Sequence, residues 1–213
     1  PAPEIHLYTM GPGLTVFERW GHASICLHDT VRPFDGDQCF NYGTTNFTTP
    51  GPLTIDFVRG RAQFWVSTSS LDEMLWVYRI RNRTVRRQIL DLPEERARYV
   101  ANRMLHDSEP ERGSYLYHHF DDNCTTRLRD ILDDATQGAL REDSDTGMGI
   151  SMRDLGRMGI WDNEIGLLIS DLLVGRRADR EATKWEAMFL PTQLELEVSQ
   201  RLNAQPVRIF QAS

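Results

Sequence analysis

The chain has 213 residues, 40% hydrophobic and 26% charged, with 31 acidic against 24 basic side chains and a formal net charge of −7. That length suits one domain, or one domain with an extension, and is enough to bury a core. The acidic surplus argues against nonspecific nucleic-acid binding, which needs lysine and arginine clustered against phosphate. The longest apolar run, Ile165 to Val174, is interrupted by Gly166, Ser170 and Asp171, so no segment reads as a membrane span. The opening Pro1-Ala2-Pro3-Glu4 carries the expectation of a trimmed N-terminus, with any leader or anchor upstream of it.

Glu4 to Met10 alternates apolar and polar residues and predicts a strand, closed by the turn Gly11-Pro12-Gly13. A hairpin follows. In its first arm, His22 to His28, the residues Ala23, Ile25 and Leu27 point one way and His22, Ser24 and Cys26 the other. A polar loop through Asp35-Gly36-Asp37 leads to the second arm, Cys39 to Gly43. If Cys39 shares a face with Cys26, then Asn41 shares a face with His22. In an oxidising compartment Cys26 and Cys39 can pair and leave Cys124 as the odd thiol; in a reducing one all three are free.

Pro52 to Arg59 predicts a short helix and Ala62 to Thr68 a strand. Leu71 to Ile80 predicts a helix with Ser70 as N-cap and Asp72 and Glu73 in its first turn. The basic run Arg79 to Arg87, alternating with Ile80, Val85 and Ile89, reads as a solvated strand face rather than a phosphate site. Thr84 to Leu92 is the strand in question. Pro93 then opens a helix with Ala97, Val100, Ala101, Met104 and Leu105 inside. Ser114 to Phe120 is extended and aromatic, and it leads directly to Cys124.

Asn123 and Asp122 are favoured N-cap types, and Leu128, Ile131, Leu132 and Ala135 follow at the spacing of one buried helical face, with Gly138 as a stop. Cys124 therefore sits in the first turn of a helix, looking inward. Unpaired N–H groups at such a terminus stabilise a thiolate, lower its pKa and can hold an oxyanion. The competing reading is a small buried apolar residue. Beyond Gly138, Arg141 to Gly149 reads as a loop and Ile160 to Val174 as a helix. Lys184 to Phe189 reads as a short apolar turn stopped by Pro191. Leu194 to Ile209 fits helix or strand equally.

A cysteine nucleophile needs a base within hydrogen-bond reach and a third group to orient that base. His22, with Asn41 beside it on the sheet, meets both needs; His118 and His119 are rivals close in sequence, while His6, His28 and His106 look incidental. No CxxC and no paired ligand spacing suggests zinc, so neither metal nor cofactor is expected. Gly11-Pro12-Gly13 lacks a phosphate-loop pattern, and there is no GxSxG elbow. Asp121, Asp122, Asp133 and Asp134 read as helix-end and solvated charges rather than a glycosidase pair. The three Asn-x-Thr matches, at Asn46, Asn82 and Asn123, read as chance.

Five blocks fall in order: Gly11-Pro12-Gly13, Arg19-Trp20-Gly21-His22, Phe40-Asn41-Tyr42-Gly43-Thr44, Phe57-Val58-Arg59-Gly60-Arg61 and Asp122-Asn123-Cys124-Thr125-Thr126-Arg127. Over roughly Ile5 to Leu140 this set resembles the bacterial periplasmic domain at the N-terminus of the lipoprotein N-acyltransferase of Bacteroidota. The later block Trp185 to Pro191 is similar to the same family. The resemblance implies an exported bacterial protein with an α+β, circularly permuted papain-like fold: an antiparallel sheet packed on a nucleophile helix, as in lecithin:retinol acyltransferase. It implies a catalytic domain over 1–140 and a helical C-terminal extension over 141–213 packed on it. Cys124 would be nucleophile, His22 general base and Asn41 orienter. Thr125, Asn123, Arg127, Arg19 and Tyr42 would serve as oxyanion or supporting residues.

The expected activity is acyl transfer or hydrolysis through a thioester on Cys124, with the Cys124 and Thr125 N–H groups on the oxyanion. The expected partners are a phospholipid or lipoprotein, and with them a membrane surface; nucleic acid is excluded. Two alternatives stand beside this: a peptidoglycan amidase of the same fold, and a binding module without activity. Trp65, Trp76, Trp185 and Phe189 are candidates for an acyl groove, although core packing is the simpler reading for each.

Overall fold

The computed structural model describes residues 1–15, 18–29, 36–46, 48, 52–53, 56, 61–159 and 175–213. Most of the predicted helix over 52–59, most of the block from Phe57 to Arg61, and the predicted helix over 160–174 lie outside the described residues.

The fold is α+β around a seven-stranded antiparallel sheet. Its strands are β1 (Glu4–Met10), β2 (His22–His28), β3 (Gln38–Thr44), β4 (Gln63–Ser70), β5 (Val85–Leu90), β6 (Tyr115–Leu116) and β9 (Val207–Phe210), in the spatial order β6-β4-β3-β2-β1-β5-β9. A separate two-stranded ribbon pairs β7 (Gly147–Ser151) with β8 (Glu181–Thr183). The helices are α1 (Leu71–Ile80), α2 (Glu94–Asp107), α3 (Cys124–Ala135), α4 (Met152–Arg157), α5 (Lys184–Ala187) and α6 (Pro191–Arg201).

Strand alternation decides which helix each face receives. Ile5, Leu7, Ala23, Ile25, Phe40 and Tyr42 turn to one side and form the main core with Val100 and Met104 of α2, Leu128 and Leu132 of α3, and Leu194 and Val198 of α6. Tyr8, Met10, Cys26, Cys39 and Val85 turn to the other side, where Met74 of α1 covers them. The central strands are thus buried on both faces, and even His6 and Thr9 of β1 are inaccessible. α1 begins as the sequence predicts: Ser70 and Glu73 form a reciprocal capping box that satisfies two otherwise orphaned N–H groups.

Cys26 and Cys39 face each other across β2 and β3 and are joined by a disulfide over a sequence separation of 13. In the chain-entropy account a loop of this size contributes about 3 kcal/mol. The double substitution Cys26→Ser, Cys39→Ser is therefore expected to lower the thermal midpoint by roughly 6–12 °C. Melting followed by circular dichroism checks this, and an unchanged midpoint would assign the strand pairing to packing alone.

Several expectations need correction. Pro191 does not merely stop the preceding turn: it occupies the first position of α6, where a missing N–H costs nothing. The undecided C-terminal stretch is helix and then strand, because β9 caps the open edge of β5. Leu105 and Ile89 are exposed, while Gln88 is buried, donating to the carbonyls of Glu195 (3.0 Å) and Ala204 (2.7 Å) and so tying the C-terminal segment to the sheet. Trp65 and Trp76 lie at the surface, not in the core. The stretch Ser114 to Phe120 pairs only through Tyr115–Leu116, then turns tightly through reciprocal bonds between His118 and Asp122.

Candidate active site

α3 begins at Cys124 because Asn123 caps it. The Asn123 Oδ1 accepts from the N–H groups of Thr125 (2.8 Å) and Thr126 (2.9 Å), and Thr126 Oγ1 accepts the Asn123 N–H in return (2.8 Å). The other end of the same side chain is equally engaged: Nδ2 donates to the carbonyls of His119 (2.7 Å) and Phe189 (3.0 Å). One buried amide therefore holds the helix start, the preceding turn and the chain before α6 together.

α3 lies on the Ala23 and Ile25 side of the sheet, whereas His22 and Asn41 belong to the opposite side, beneath α1. Cys124 and this pair nonetheless border one cavity, at the end of the sheet where its ladder opens. Pairing between β2 and β3 ends at Ile25 and Phe40, and the β3 to β4 register shifts between Asn41 and Thr44. Gly43 sits in that bulge at φ 87°, and a Cβ placed on it would lie 3.4 Å from Cys124 Cβ. Backbone N–H groups of Ala23, Thr125 and Cys124 itself face the sulfur, and Thr125 Oγ1 lies 3.6 Å from it. Gly21 makes the entry to His22 possible: it has φ 89°, and a Cβ there would fall 2.6 Å from the Met10 carbonyl.

Cys124, His22 and Asn41 line one cavity of about 440 Å³ between α1 and this end of the sheet. His22 Nε2 lies 3.3 Å from Asn41 Oδ1, and Asn41 Nδ2 lies 3.5 Å from Ser69 Oγ. With Oδ1 accepting, Nε2 carries the proton and Nδ1 keeps its lone pair for a thiol or a leaving group. The His22 ring stacks on Tyr78 of α1, and Arg83 lies over the same tyrosine at 4.8 Å.

Burial and the nearby Arg83 charge press the His22 pKa down to about 4, and burial lifts Tyr78 to about 12, so both are neutral at pH 7. Burial also raises the Cys124 thiol above the ordinary range, outweighing the N–H and hydroxyl groups that favour thiolate. The expected lowering by the helix terminus is overturned: desolvation of the charged form wins. The cavity thus holds a neutral imidazole and a thiol whose proton is held more tightly than usual. Charge must form in the transition state, where a positioned base is worth most.

Other anticipated residues divide. The Thr125 N–H is given to Asn123 Oδ1, so of the two expected oxyanion donors only the Cys124 N–H remains without a capping partner. Arg127 makes a two-pronged ion pair with Asp122 (2.6 and 2.8 Å) and covers Tyr115, away from the cavity. Tyr42 faces the other side of the sheet, where its hydroxyl donates to Asp107 (2.6 Å). Arg19 is not among the cavity residues, although its neighbours Glu18 and Trp20 are. His118 is exposed and paired with Asp121; His119 borders the cavity, packed edge-on against Trp20 and Phe189, with burial lowering its pKa to about 4. Phe189 lines the cavity and is fully buried, combining the two roles weighed for it; Trp185 packs under Arg129 instead.

Arg83, Glu18 and Tyr78 were missed. The expected solvated basic face is corrected at Arg83, which is 3% exposed and bonded to the Gly11 carbonyl (2.9 Å) and Glu18 (3.2 Å). The signal was present: Arg83 stands two residues before the buried Val85, on its side of an extended chain. Among the described residues no cluster of acidic, histidine or cysteine side chains is arranged to hold a metal ion, and no helix is long and apolar enough to cross a membrane.

The family described as the Lnb N-terminal periplasmic domain matches residues 2–155, a span holding β1 to β6, α1 to α3 and every residue of the Cys124, His22 and Asn41 group. No curated protein and no solved structure matches the chain.

Proposed function

The chain belongs to the Lnb N-terminal periplasmic domain family, and from that premise we propose that it is a periplasmic thiol enzyme that carries an acyl group on Cys124. The observation that supports this reading is the convergence of Cys124 and the His22 and Asn41 pair on one cavity. A histidine strand preceding a cysteine helix is the element order of a circularly permuted papain-like fold, and the reading adopts that fold.

In the proposed reaction His22 Nδ1 takes the Cys124 proton as sulfur attacks an ester carbonyl. The Cys124 N–H, and the Ala23 N–H beside the sulfur, stabilise the oxyanion. The imidazolium, oriented by Asn41, then protonates the departing alkoxide and leaves a thioester. An amine or water next attacks the thioester, giving its proton to His22, and the thiolate leaves and is reprotonated. The walls formed by Phe64, Met74, Val77 and Phe189 suit an acyl chain, which favours a phospholipid donor and a lipoprotein amine or water as acceptor. The polar end at Glu18, Arg81 and Arg83 supports a second reading, hydrolysis of a peptidoglycan amide.

Intact-protein mass spectrometry after incubation with phospholipid vesicles tests this. A hydroxylamine-labile fatty-acyl adduct is expected on the parent chain and not on Cys124→Ala. A reactive Cys124 without any adduct would transfer the reading to peptidoglycan, and a Cys124 inert to alkylation even at pH 9 would leave a binding module.

A further inference from the structure

Arg83 is nearly inaccessible yet borders the cavity that holds Cys124 and His22. Its Nε and Nη1 are committed to the Gly11 carbonyl and Glu18, whereas its Nη2 is buried with no hydrogen-bond partner among the described residues. A buried guanidinium edge without an acceptor is destabilising, so a folded chain keeps one where something else completes it. The local charge is also unbalanced. Glu18 is shared between Arg83 and Arg81, which bonds the same carboxylate oxygen. The other carboxylate on the cavity, Glu73, is held at the start of α1 by the Ser70 N–H (3.0 Å), eight residues or about 12 Å of helix from Arg81. Two cations thus face one anion at this end of the cavity, whose lining also includes Cys124.

We propose that the free edge of Arg83 is an anion subsite that receives the phosphodiester of a glycerophospholipid while its ester lies at Cys124. This deepens the thiol-enzyme reading and rests on it for the identity of the lipid. A diester carries one negative charge, the amount missing at this end, and its oxygens accept the paired N–H bonds that a guanidinium offers. Only a few bonds of the glycerol link the phosphate to the acyl ester, so anion and carbonyl must enter together. The aromatic and aliphatic walls are left for the chains.

The test measures binding without turnover. A dihexyl diether of phosphatidylglycerol and the matching uncharged dihexylglycerol, neither able to acylate the thiol, are titrated for protection of Cys124 from iodoacetamide at pH 8. The charged diether is expected to protect at a concentration about tenfold or more below the uncharged one. Arg83→Gln is expected to erase that difference while leaving protection by dihexylglycerol unchanged. Equal protection by the two lipids in the parent chain would overturn the proposal, as would an Arg83→Gln chain that loses both equally. So would Arg83-dependent protection by a free peptide carboxylate with none by the diester. If Arg83→Gln does not fold, the neutral methyl phosphotriester of the same diether replaces it in the parent chain, and protection equal to that of the diester overturns the subsite. Because no acyl group is present, failure to form a thioester does not affect these outcomes.

Discussion

Replacing His22 with alanine is expected to slow acylation of Cys124 by about a hundredfold to ten-thousandfold while the fold stays intact. Burial holds the thiol above its ordinary pKa, so at pH 7 the nucleophile is protonated and reaction requires a base at the moment of attack. His22 is neutral, and with Asn41 Oδ1 as acceptor its proton sits on Nε2 and Nδ1 serves as the base. Asn41→Ala should cost less, since it frees the ring without removing the base. The pH dependence follows in sign. With its pKa depressed to about 4, His22 remains a base well below the usual histidine range, and the acid limb falls as pH drops through about 4 rather than 6.5. Stopped-flow or quenched acylation rates for parent, His22→Ala and Asn41→Ala from pH 4 to 9 give all three quantities. An acid limb near 6.5, or a His22→Ala rate within a few-fold of the parent, would rule out the buried neutral base.

Asn123→Ala is expected to be the most destabilising single change near the site, at about 3 kcal/mol. The side chain is 3% exposed and makes four hydrogen bonds. Loss of the two cap bonds costs about 1–2 kcal/mol, and leaving the half-buried His119 carbonyl and the buried Phe189 carbonyl without their donor adds a similar amount. Roughly 6–12 °C in the thermal midpoint corresponds to this. Asn123→Asp separates the two halves: it keeps an acceptor for the Thr125 and Thr126 N–H groups but presents a second oxygen to the two carbonyls. A midpoint for Asn123→Asp equal to that of the parent would show that the link to Phe189 carries no stability. Because Phe189 forms a wall of the cavity, loss of the link is also expected to weaken lipid protection of Cys124.

Much of this was readable locally. The hairpin register follows from two cysteines on one face of alternating strands, and it carries His22 and Asn41 to the same side. The Ser70 and Asn123 caps were legible because capping is decided within four residues, and the buried face of α3 because it repeats at helical spacing. Where packing on both sides of a strand replaced simple alternation, as at Gln88 and Ile89, the pattern misled. At Arg83 the abundance of neighbouring arginines hid a position that alternation places inward.

From the sequence alone came most of the strands and helices as far as α3, the cap that starts α3, the two cysteines able to pair and the shared face of His22 and Asn41, since each depends on residues near in sequence or directly opposed in a hairpin. Only the tertiary structure decided that Cys124 shares a cavity with His22 from the other side of the sheet, that Arg83 is buried at that cavity, and that burial pushes the thiol pKa up rather than down. The physical reason is that these outcomes depend on where the β2 to β3 ladder opens and on how deeply distant elements bury a charge. Neither quantity is carried by a local pattern of residues.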